Sequence, residues 1–164
     1  MRTFLFVAIT LLFILPAFGQ TSPGAGTFGT GLSISGLADV RTANVASVQN
    51  ALNARYWVTN PIVIFGGLGL STTSDVGTIF QLSWGAAYHF NKSQLSPELG
   101  AAMFINSISP SGGQSQTQFG FILGAVAEYY PSNHFGVEII EGIQFNSNPT
   151  TFAFTSRLGL NWYL

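Results

Sequence analysis

The chain has 164 residues, room for one domain. Only 7% are charged while 47% are hydrophobic, where a soluble domain carries about 25% charge. That balance argues against a soluble enzyme, and a formal net charge of −1 with five Lys and Arg in all leaves no basic stripe for a nucleic-acid backbone. Cysteine is absent, which excludes disulfides, thiolate metal sites and a cysteine nucleophile. With two histidines far apart in sequence, neither a metal nor another cofactor is expected.

At the N-terminus, Arg2 precedes an uncharged apolar run from Thr3 to Leu15, and Pro16-Ala17-Phe18-Gly19 places small residues three and one before a cut ahead of Gln20. Residues 1–19 read as a secretion signal peptide, because the apolar run is short for a retained helix crossing a roughly 30 Å hydrocarbon core. Residues 20–164 then form the mature domain, with four basic and six acidic side chains.

The mature chain alternates larger apolar residues with small or polar ones, the period of a strand. Eight segments are expected: 27–36, 49–59, 62–72, 78–90, 98–107, 117–130, 135–146 and 151–164. One face carries Phe80, Leu82, Trp84, Ala86, Tyr88 and Phe90, then Phe119, Phe121, Leu123, Ala125, Ala127 and Tyr129, and so on through Trp162 and Leu164. The opposite parity is mostly Gly, Ser, Thr, Asn and Gln, with Trp57, Phe65 and Phe104 as larger exceptions. Inward glycines such as Gly29, Gly67, Gly85, Gly120 and Gly159 suit the crowded interior of a narrow barrel better than the solvated face of a sandwich.

Outward aromatics recur ten residues apart at Phe80 and Phe90, Phe119 and Tyr129, Phe135 and Phe145, and Phe152 and Trp162. Ten tilted strand steps rise roughly 25 Å, the height of the apolar band between the aromatic girdles of an outer-membrane barrel. Asn60-Pro61, Asn91 to Ser96 and Pro131 to His134 read as compact turns, alternating with segments around 37–48, 73–77, 108–116 and 147–150. The predicted fold is all-β, an eight-stranded antiparallel up-and-down transmembrane barrel with both ends of the mature chain on the periplasmic side.

Asp39, Arg41 and Asp75 fall in loops and Lys92 in a turn. Of the remaining charges, Arg55, Glu98, Glu128, Glu138 and Arg157 have inward parity in the periplasmic half, and they suggest a lumenal ion-pair cluster, since unpaired charges there would cost several kcal/mol each. Structural packing of the lumen and an ion path gated by exchange of pairs are both compatible with that cluster. His89 points inward near Ser93 and His134 lies at a turn near Ser132. Gly66-Gly67-Leu68-Gly69 is no phosphate loop, because no helix follows it. Glu141 has outward parity among Ile139, Ile143 and Phe145. Either a β-bulge near Ile139-Ile140-Glu141 turns it inward, or it marks an interface with a partner or lipid headgroup, or it is tolerated in the membrane.

The C-terminal run Arg157-Leu158-Gly159-Leu160-Asn161-Trp162-Tyr163-Leu164 resembles the assembly signal of outer-membrane barrels. Arg157 is its polar residue, Gly159 its glycine, and Trp162 and Leu164 its hydrophobic positions, with Leu164 where Phe is commoner. Together with the signal peptide and eight strands, residues 25–164 resemble the OmpA/OmpX-like family of small outer-membrane barrels. The resemblance implies export through the periplasm to a Gram-negative outer membrane. The surroundings it implies are outer-membrane lipid, lipopolysaccharide and the outer-membrane assembly machinery. Neither histidine stands in the His-X-Ser arrangement of lipid A deacylases of similar size. The expected function is therefore non-enzymatic, a structural or surface-interaction role with a side-chain-filled lumen and an unidentified partner. A narrow pore or a carrier for small or hydrophobic solutes is the alternative. Eight strands leave an interior only wide enough for side chains, which excludes a large open porin.

Overall fold

The structure is a computed structural model that describes residues 23–35, 50–73, 77–110, 113–147 and 150–164. The expected signal peptide and the charges Asp39, Arg41 and Asp75 lie outside the described residues. Eight strands follow in chain order: β1 (Phe28–Ser35), β2 (Asn50–Trp57), β3 (Ile62–Thr73), β4 (Gly77–His89), β5 (Leu95–Ser109), β6 (Gln116–Ser132), β7 (Phe135–Ser147) and β8 (Thr150–Tyr163). Each pairs antiparallel with the next and β8 returns to β1, for example through Leu32 and Leu160. Closure removes the free edge that an apolar sheet would otherwise present and pairs the backbone within the wall, the condition for crossing hydrocarbon with strands.

The two faces separate as the alternation predicts. Phe80, Trp84, Phe119, Phe152 and Trp162 are exposed on the outside, up to 63% for Phe152. A continuous apolar outer surface of this kind is unfavourable in water and matched to lipid, so the fold is a transmembrane barrel. Girdle aromatics touch across strands: the Phe135 and Trp162 ring centroids are 5.6 Å apart, and those of Phe145 and Phe152 are 5.0 Å apart.

Strand ends depart from the expected bounds at two prolines. β5 begins at Leu95, three residues early, so that Ser96 points into the lumen and Pro97 lies within the strand. The Pro97 carbonyl accepts from the Phe90 amide at 3.1 Å. Its missing N–H would have served the same rung, beyond the end of β4. β6 runs to Ser132, and the register shift between Tyr129 and Ser132 absorbs Pro131. By contrast, β6 and β7 keep an unbroken register from Gly120 and Asn146 to Tyr129 and Val137. No bulge at Ile139-Ile140-Glu141 turns Glu141 inward. It pairs in register with Ala125 and Ser156 and stays on the outside.

Short turns after β2, β4 and β6, together with the two described chain ends, share one end of the barrel, the turn end. There the interior packs Trp57, Val63, Ala87, Tyr130 and Tyr163 against one another. Inward glycines make room for these large groups. A Cβ on Gly29 would strike the Tyr163 ring, and one on Gly159 would strike the Glu138 side chain. Toward the other end the interior becomes neutral and polar: Gln81 donates to Asn106 at 2.8 Å, Asn106 to Gln118 at 3.2 Å, and Gln144 to Asn146 at 2.9 Å.

Candidate lumenal site

Arg55 lies near the end of β2 with inward parity, and its guanidinium crosses the interior to three other strands. Nη1 donates to Glu128 Oε2 on β6 at 2.8 Å and to Glu138 Oε2 on β7 at 2.9 Å; Nη2 donates to Glu98 Oε2 on β5 at 3.2 Å. All four residues are at most 5% exposed. Glu128 collects further donors. Tyr130 Oη reaches its Oε2 at 2.7 Å, Asn161 Nδ2 reaches its Oε1 at 2.8 Å, and Tyr163 Oη also donates to Oε1. A buried carboxylate is tolerable only when its lone pairs are occupied in this way.

The hydrogen bonds are framed by rings. The Arg55 guanidinium lies 5.5 Å from the Trp57 ring centre, within cation–π range. Trp57 meets Tyr163 edge-on at 5.2 Å and His89 at 5.6 Å.

Arg157, on β8 opposite Ile140, is placed differently from Arg55. It lines a cavity of about 100 Å³ together with Arg55, Glu138, Asn53, Thr155 and Phe65. The three carboxylates Glu98, Glu128 and Glu138 converge on Arg55. Of the other residues in the C-terminal motif, Gly159 is buried against Glu138, and Trp162 and Leu164 face outward.

His89 is inward and buried, but its partner is Ser96 and not Ser93. His89 Nδ1 lies 3.0 Å from Ser96 Oγ, and Ser96 Oγ donates to the Asn91 carbonyl at 2.8 Å. His89 Nε2 lies 3.3 Å from Glu98 Oε1. Ser93 is exposed and bonds within its own turn, to Asn91 Oδ1 at 2.8 Å. The Ser96, His89 and Glu98 chain has the residue types of a hydrolase triad without its mechanics. Its serine hydrogen is directed to a carbonyl, and Ser96 is 0% exposed, leaving no approach for a scissile group. His134 Nδ1 lies 3.0 Å from the Tyr163 carbonyl at the turn end, with Ser132 on the preceding strand.

Reading the residues for charge alone misses Tyr130, Tyr163, Asn161 and Ser96. Inward parity at the strand ends was the available signal for the two tyrosines.

No family model matches the chain, and no curated protein matches it. Among solved structures, the N-terminal β-barrel domain of Pseudomonas aeruginosa OprF superposes with a TM-score of 0.70 at 15% identity, covering 87% of this chain and 100% of that one. Neisserial surface protein A superposes with a TM-score of 0.56, also at 15% identity, covering 87% of this chain and 99% of that one. At such identity the shared property is the architecture, a closed eight-stranded antiparallel β-barrel.

Proposed function

We propose that the protein is an integral outer-membrane barrel without enzymatic activity, closed inside by its own side chains, with a structural or surface-interaction role. The observation that carries this reading is Arg55, bonded at once to carboxylates from β5, β6 and β7 over the packed rings of Trp57, Tyr130 and Tyr163. A guanidinium held from three directions at the turn end supports a fixed cross-brace in preference to an open path. Residues 1–19 direct export, and Trp162 and Leu164 engage the assembly machinery that inserts the barrel among lipid and lipopolysaccharide. The second reading, a narrow pore or carrier, draws on the cavity of about 100 Å³ beside Arg157. Separation of inner and outer membranes on a density gradient, scored by the heat-modifiable mobility of folded barrels, tests the location. Recovery in the outer membrane as a heat-modifiable band is expected; recovery in the soluble or inner-membrane fraction contradicts it. Liposome swelling with small sugars tests the second reading, and swelling above that of empty liposomes would favour the pore.

A further inference from the structure

Glu141 stands at the middle of β7, facing outward, and is the one Asp, Glu, Lys or Arg side chain on the outer face among the described strands. Its register partners are small: Ala125 on β6 and Ser156 on β8. The adjoining row toward the loops holds Leu123, Ile143 and Phe154, all large and exposed. Glu141 therefore lies in a shallow trough across three strands, where another surface can come close to the backbone, as small residues permit in membranes generally. Ser156 Oγ donates to Glu141 Oε1 at 2.7 Å. No described residue bonds Oε2, and at this depth lipid chains offer no hydrogen-bond partner.

We propose that this face of β6, β7 and β8 docks a second copy of the chain about a two-fold axis through the Glu141 side chains. The patch is complementary to itself. In a carboxyl–carboxyl pair each Oε2–H donates to the partner's Oε1, which keeps one lone pair for that copy's own Ser156 hydroxyl. Both oxygens of both acids are then satisfied without any further component, and one patch serves both copies, as in an isologous dimer. A cationic partner would satisfy Oε2 as well but would itself need to carry a charge to mid-membrane, whereas the paired acids cancel that cost with groups already present.

The chain has no cysteine, so a single introduced thiol reports its own neighbour. Ala125→Cys, beside Glu141, should give a linked dimer when native membranes are treated with a short bismaleimide, because the axis sets the two thiols on opposite sides of the Glu141 pair, beyond the reach of a direct disulfide. Leu68→Cys, at the middle of β3 on the opposite side of the barrel, should not. Adding Glu141→Leu to Ala125→Cys should reduce the dimer to the Leu68→Cys background, while Glu141→Gln, which still donates and accepts, should retain it. Heat-modifiable mobility verifies that each variant is folded. If Glu141→Leu does not fold, Ile143→Cys, at the next outward position of β7, replaces Ala125→Cys as the reporter and Ala125→Phe fills the trough with Glu141 intact, and the dimer should again be lost. Equal cross-linking at Ala125→Cys and Leu68→Cys, no dimer at either, a dimer that survives Glu141→Leu or Ala125→Phe, or a cross-link to another protein in its place would each overturn the proposal.

Discussion

The Arg55 guanidinium and the Glu128 carboxylate meet at 2.8 Å although β2 and β6 stand four strands apart, on opposite sides of an eight-stranded barrel. A bond between diametrically opposed walls ties the cross-section together at the turn end. It converts two residues 73 positions apart into a brace that local strand pairing cannot supply.

Removing the brace should be costly. Arg55→Ala strands three buried carboxylates together, and breaking one buried pair already costs about 3–5 kcal/mol. Urea unfolding in liposomes should show a loss of at least that order, while Lys92→Ala, at an exposed turn, should leave the midpoint unchanged. Equal midpoints for the two variants would show that the network contributes nothing to stability.

The inward glycines are expected to differ from the outward ones. Gly159→Ala drives a Cβ into Glu138 while Arg55 holds that carboxylate at 2.9 Å, so either the ion pair or β8 must shift, at about 1–3 kcal/mol. Gly66→Ala faces outward, and its nearest contact would be an ordinary 3.5 Å from the Ser83 carbonyl. It should be neutral or slightly stabilising. The same unfolding experiment ranks the pair, and a larger loss for Gly66→Ala would contradict the packing described.

Residues of the C-terminal motif should divide by the face they occupy. Trp162 is outward, whereas the Tyr163 hydroxyl donates to Glu128. Trp162→Ala is expected to lower the yield of folded barrel in cells, read by heat-modifiable mobility. Tyr163→Phe should assemble normally and lose about 1–3 kcal/mol in unfolding. Deleting Tyr163 and Leu164 together would mix the two effects. Normal cellular yield for Trp162→Ala would remove the assembly role.

Features set by neighbouring residues are legible in the sequence, and those set by register and bore are not. Period-2 alternation and the ten-residue aromatic spacing, as from Phe80 to Phe90, depend on neighbouring residues and so announced both the strands and their outer face. Lumenal partnerships depend on register and bore, which alternation leaves open. Arg55 and Arg157 carry the same charge and parity, yet the carboxylates converge on Arg55. His89 paired with Ser96 and not Ser93 because the strand starts two residues beyond Ser93, at Leu95. Tyr130 and Tyr163 give no charge signal, and tyrosine at a strand end equally suits an outer girdle, so only parity distinguishes the two. At Glu141 the alternation was the better guide: its outward parity holds, and an inward bulge would have needed a register break that β7 lacks.

Single-channel conductance of the purified barrel in planar bilayers tests the closed lumen most directly. The wild-type protein should show no sustained current, and Arg55→Ala with Trp57→Ala, verified as folded, should show discrete openings. Sustained conductance in the wild type that these two substitutions leave unaltered would contradict a lumen closed by the Arg55 network.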